Sequence, residues 1–209
     1  LGRPVRDSRR GEGNQFNMNS FNKTSRLFIK AVEKDNRTIL EELAFTAPFK
    51  VMAPFRNRDG SIRVMLLQAS AGIMQGDDQE FLFQIGAGAD LKFFSQSYEK
   101  LHKMNQGCGK RSVKVYVDKH ACFQYQPQPT IPFQNSAFES RMEIHLDQGS
   151  SRLFTGEILT CGRYAVGERF AYRYFHNLTE IYRGELLIYR DNTRYEPEVF
   201  DMEGMGMYE

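Results

Sequence analysis

RSVKVYVD, residues 111–118, alternates strictly: Val113, Val115 and Val117 fall on one side, Ser112, Lys114 and Tyr116 on the other. Successive side chains of a β-strand point to opposite faces, so this stretch reads as a strand with one face buried. In 138–146 (FESRMEIHL), Phe138, Met142 and Ile144 share a parity with Ser140 and Leu146, again a strand with an apolar side.

The same theme runs from Thr24 onward, with apolar and aromatic runs separated by turn signals. It predicts eleven strands, at 25–33, 38–45, 61–69, 79–86, 90–97, 111–118, 120–125, 138–146, 151–160, 168–176 and 178–190. Turns are expected at Arg58-Asp59-Gly60, Gly86–Asp90, Asp147–Ser150 and Arg183-Gly184, where Gly supplies positive φ. Helical periodicity is nearly absent, and 98–104 (YEKLHKM) is the best short helix candidate. Many strands with a few short helices predict an all-β protein of antiparallel strands in stacked layers, a sandwich or barrel-like. The Pro-rich 127–132 (PQPTIP) must run extended and is the one candidate hinge.

Composition agrees. Seventeen Phe and ten Tyr stand beside no Trp, and aromatics favour half-buried pleated surfaces. A net charge of +2 gives no electrostatic case for nucleic acid. Three scattered cysteines, Cys108, Cys122 and Cys161, argue against a disulfide framework and suit a reducing cytoplasm. No apolar run approaches the roughly 20 residues that span a bilayer, and no signal peptide is visible. The expectation is a cytoplasmic protein. Residues 1–17 are basic, Gly-rich and poor in aliphatics, and read as a disordered N-terminal extension before Met18; 18–209 reads as one β domain.

Catalytic signatures are missing: there is no G-x-S-x-G, H-E-x-x-H or phosphate-binding loop. His102, His120, His145 and His176 never pair at zinc-ligand spacing, and the cysteines form no C-x-x-C. His120 and Cys122 read as strand positions rather than a ligand pair. The acidic residues are more informative. Asp77, Asp78 and Glu80 follow a Gly before a strand, Glu157 sits within a run read as strand, and Glu168 opens the next. A carboxylate in a strand core is costly unless paired or ligating, so Glu157 either faces solvent or has such a role.

Five segments in order carry a resemblance: 46–55 (TAPFKVMAPF), 67–77 (LQASAGIMQGD), 93–103 (FFSQSYEKLHK), 125–135 (YQPQPTIPFQN) and 152–168 (RLFTGEILTCGRYAVGE). Together they resemble the UreD/UreH family of urease accessory proteins, and S-Q-S-x-E-K-L-H leans towards the UreH branch. The resemblance implies layered β-strands and a non-enzymatic scaffold or metallochaperone for nickel insertion into urease apoprotein. It implies work with UreF and, through UreF, the GTPase UreG. It implies no tightly bound cofactor, only Ni2+ in transit along an internal route. Asp77 and Glu157 match acidic motif positions and become the candidates for lining that route; Glu80, Glu99 and His102 rank behind them. Ser97, Lys100, Gly162, Arg163 and Glu168 match motifs with structural roles, Gly162 allowing a bend and Arg163 pairing with Glu168. Against the family pattern, a C-terminal portion is expected to be lacking. Two other readings stand beside this one: a β-sandwich module for carbohydrate or protein ligands, and a hydrolase using Asp77 and Glu157 as an acid/base pair. The latter needs the two within about 5–10 Å across a cleft.

Overall fold

Val113, Val115 and Val117 are each about 1% exposed or less in the computed structural model, which describes residues 24–204. The expected 1–17 extension lies outside those residues. The chain opens with an antiparallel hairpin of β1 (Ser25–Lys34) and β2 (Arg37–Phe45), then β3 (Phe49–Val51), β4 (Phe55–Arg56) and β5 (Ile62–Gln68). From there it winds. β6 (Asp78–Ile85), β7 (Asp90–Ser95) and β8 (Glu99–Leu101) make one circuit. β9 (Gly109–Val117), β10 (Cys122–Gln126) and β11 (Thr130–Pro132) make the next, and β12 (Ala137–Leu146) and β13 (Arg152–Thr155) begin a third. A 3-10 turn at Tyr164–Val166 precedes the hairpin of β14 (Tyr174–Arg183) and β15 (Leu186–Tyr195).

The first two circuits visit three sheets in the same order, and the third visits the first two of them. The first is seven-stranded, in the order β15-β14-β12-β9-β6-β1-β2. The second runs β13-β10-β7-β5-β3 with β4 also on β5, and the third is β11-β8. Because neighbours come from successive circuits, they run parallel: β1 with β6, β6 with β9, β9 with β12 and β12 with β14. The second sheet is likewise parallel through β5, β7, β10 and β13. The all-β, layered expectation holds, while the antiparallel orientation is corrected to mixed and mainly parallel. Parallel strands need a long crossover, usually a helix; here the crossovers are the strands of the other two sheets, so parallel pairing needs no helix.

Other expectations change for local reasons. The candidate helix at 98–104 is instead strand β8, with Leu101 fully buried. The stretch 127–132 is extended, but Thr130–Pro132 pairs with β8 and is not a hinge. The strand expected over 151–160 stops at Thr155, and the one over 168–176 starts at Tyr174. The run 178–190 breaks at Gly184, whose φ of 59° makes the β14–β15 turn, at the Arg183-Gly184 signal. The short strands β3, β4, β8 and β11 carry no period of their own.

The main core lies between the first two sheets. Phe83, wholly buried, meets Phe93 at 4.9 Å and Phe123 at 5.0 Å, while Phe93 stacks on Tyr125 at 5.5 Å. A smaller core of Ile73, Leu101, Met104, Phe138, Tyr172 and Phe175 lies nearer the third sheet.

Candidate functional site

Arg111 shares the inward parity of Val113, which carries its guanidinium into the core, 9% exposed. A buried charge must be paired and hydrogen-bonded, and strands β6 and β8 supply the partners. Nε and Nη2 donate to Gln79 Oε1 on β6 at 2.9 and 2.6 Å, and Nη2 donates to Glu99 Oε2 on β8 at 2.5 Å. The rings of Phe81 and Phe138 flank it at 5.1 and 5.7 Å. Tyr125 on β10 completes the surroundings. It is 1% exposed, its hydroxyl has no hydrogen-bond partner among the described residues, and burial pushes its phenol up, with Arg111 opposing.

Three cavities adjoin one another around this group, sharing lining residues. The largest, about 910 Å³, opens over the inner face of β14 and β15, where Asn177, Thr179, Asp191 and Thr193 face it. The second is a neck of about 20 Å³ lined by Arg111, Glu99 and Tyr125. The third, about 100 Å³, is bordered by Ser97, Lys100 and again Glu99. Glu157 lines both the large cavity and the neck; Glu99 lines both the neck and the third cavity. The neck is therefore bordered by two carboxylates, each shared with a neighbouring cavity, and by the Arg111 guanidinium.

β13 ends at Thr155, and Glu157 follows in the loop that borders the cleft. It is open to the cleft yet closely ringed by protein. That loss of bulk water pushes its carboxyl above the usual range, Arg111 opposes the shift, and Asp191 across the cleft reinforces it. Glu157 is solvent-exposed and borders the open cleft, with protein packed closely around its carboxyl.

Asp77 sits elsewhere. Its Oδ2 accepts the Met74 N–H at 2.8 Å and its carbonyl accepts the Lys110 N–H at 2.8 Å, which is turn chemistry ahead of β6. It lines none of the three cavities that Glu157 and Glu99 border, so the acid/base pairing that a hydrolase would need is not assembled. Glu80 is on the outer face, paired with Arg26 at 2.8 Å. His102 Nε2 lies 2.9 Å from the Ala71 carbonyl, its ring edge-on to Phe133. Arg163 pairs with Glu168 at 2.7 Å and lies over the Phe133 ring, while Glu168 also accepts the Gln134 N–H. Gly162 is required there: its φ is 124°, and a Cβ would come within 2.5 Å of the Glu168 carbonyl. His120 turns the chain at φ 59° while Cys122 is buried in β10, so the two are no ligand pair.

Arg111, Gln79, Tyr125 and Asp191 were not singled out from sequence. Arg111 was legible, since the alternation that buries Val113 places Arg111 inward. Among the described residues no three His, Cys, Asp or Glu come together as a metal-holding cluster. The side chains facing the neck offer oxygen donors.

The fold defines a wound β-scaffold with three adjoining cavities lined by polar and apolar side chains alike. The UreD urease accessory protein family model matches residues 23–209, and the chain belongs to that family. It is 39% identical over 192 residues to the urease accessory protein UreD of Acetivibrio thermocellus, covering 91% of this chain and 73% of that one. It is 37% identical to the urease accessory protein UreH of Helicobacter pylori strain P12, over 92% of this chain and 72% of that one. To UreH of Helicobacter hepaticus it is 31% identical, covering 92% and 76%.

Proposed function

We propose that this protein delivers nickel to urease apoprotein, working in the cytoplasm with UreF and, through UreF, with UreG. Nickel is cargo: it passes along the three cavities and is held at no point tightly. The observation that carries this reading is the group of cavities itself, with Glu99 and Glu157 each facing two adjoining cavities. A borderline divalent ion needs oxygen contacts that it can leave, not a Cys/His cage. Catalysis stays with urease. Asp77 retains a lesser part, since a carboxylate near the start of β6 can serve an ion arriving at the surface. Family membership favours this reading over a carbohydrate-binding sandwich.

The test is deletion of this chain from cells that keep urease and the other accessory proteins. Urease is expected to assemble but to be nickel-poor and inactive, read by metal analysis of the purified enzyme. Normal nickel content in the deletion would exclude the proposal.

A further inference from the structure

The guanidinium of Arg111 is held by oxygen acceptors from two strands. Gln79 Oε1 receives two of its N–H groups, Glu99 Oε2 a third, and the Tyr125 hydroxyl beside it has no hydrogen-bond partner among the described residues. Glu157 borders the same neck. These are oxygen donors of the kind a divalent cation takes, two of them anionic. The space left, about 20 Å³, holds at most a single water. Guanidinium and metal therefore cannot occupy the neck together.

We infer that Gln79, Glu99, Tyr125 and Glu157 form a divalent-cation site that Arg111 occupies as a resident counter-charge. The inference rests on the reading that an ion traverses the neck, and it adds how the neck avoids becoming a trap. Two carboxylates and two neutral oxygens in a partly desolvated space would hold a divalent ion too long for transit. Arg111 competes for the same oxygens, so an ion enters only as the guanidinium swings aside, and the returning guanidinium expels it. Glu157 offers Arg111 a second carboxylate on the cleft side during that swing. Arg111 is thus a specificity-determining residue, setting how long a cation stays.

The test uses the full chain with Ni2+ alone and no urease, so its outcome is separate from that of the deletion above. Arg111→Met keeps much of the side chain's bulk and removes the charge; replacing a buried ion-pair member leaves its partners uncompensated. The expected result is a gain of function. Arg111→Met binds about one Ni2+ per chain, roughly tenfold or more tighter than wild type by equilibrium dialysis, and keeps it through gel filtration. Adding Glu157→Gln or Glu99→Gln abolishes the gain. Circular dichroism checks the fold, and Arg111→Gln, shorter and neutral, is the second variant with the same readout. A folded Arg111→Met or Arg111→Gln that binds Ni2+ no better than wild type overturns the inference, as does a gain that survives loss of both carboxylates.

Discussion

Two glutamates, both matching motif positions in the sequence, respond to pH in opposite senses. Protein packed around the cleft wall holds the carboxyl of the exposed Glu157 above its ordinary value of 4.5, so ionising it costs a little stability. That penalty is absent below 4.5, grows between 4.5 and the raised folded value, and is constant above it. Because the residue is exposed and solvent screens the effect, Glu157→Gln is expected to raise Tm only slightly at pH 7, with the advantage gone in acid. Glu168 is the reverse. The hydrogen bond from Arg163 holds it below 4.5, aided by the Gln134 N–H. Its stabilisation is present above 4.5 and is lost as pH falls through the folded value. Glu168→Gln is expected to lower Tm slightly at pH 7, the gap closing in acid. Thermal melts across pH 3–8 check both; a common sign for the two variants would contradict this account.

At the level of elements, alternation does the work. In β9 every second residue from Gly109 to Val117 is buried, and in β12 Phe138, Ser140, Met142, Ile144 and Leu146 are. The inward rows of the two main sheets interlock through aromatic rings, with Phe83 of β6 touching Phe93 of β7 and Phe123 of β10. Phe83→Ala removes a wholly buried ring and should cost about 3–5 kcal/mol. Urea unfolding checks it: the midpoint should fall while the slope stays unchanged. Strands with this alternation were legible in sequence. Short strands such as β8 and β11, three residues each, were not. They owe their conformation to pairing with each other rather than to local pattern.

For the whole molecule, the deciding feature is the winding. Successive first-sheet strands β6, β9 and β12 begin at residues 78, 109 and 137, intervals of 31 and 28. Nearly every parallel pair must close a loop of that length before it is rewarded, so folding is expected to be slow for the chain's size. Stopped-flow refolding should give a main phase in milliseconds to seconds; a microsecond phase carrying the full amplitude would contradict this topology. The same winding brings Gln79, Glu99, Arg111, Tyr125 and Glu157 together from two circuits and the loop that follows them.

The amino-acid sequence by itself determined the β class, the faces of the long strands, most of the turns and the motif positions of Glu157, Gly162, Arg163 and Glu168. All of these are local: a period of two, a glycine at positive φ, a residue type within a short motif. Strand direction and the neck around Arg111 were decided by the tertiary structure. Alternation looks the same in a parallel and an antiparallel strand, and which strand lies beside which depends on how the chain closes over about thirty residues. The inward parity of Arg111 was written in its strand, but Gln79 and Glu99 come from the preceding circuit, Tyr125 from the next strand and Glu157 from beyond β13, and only the closed fold gives a buried guanidinium the carboxylates that allow it to be there.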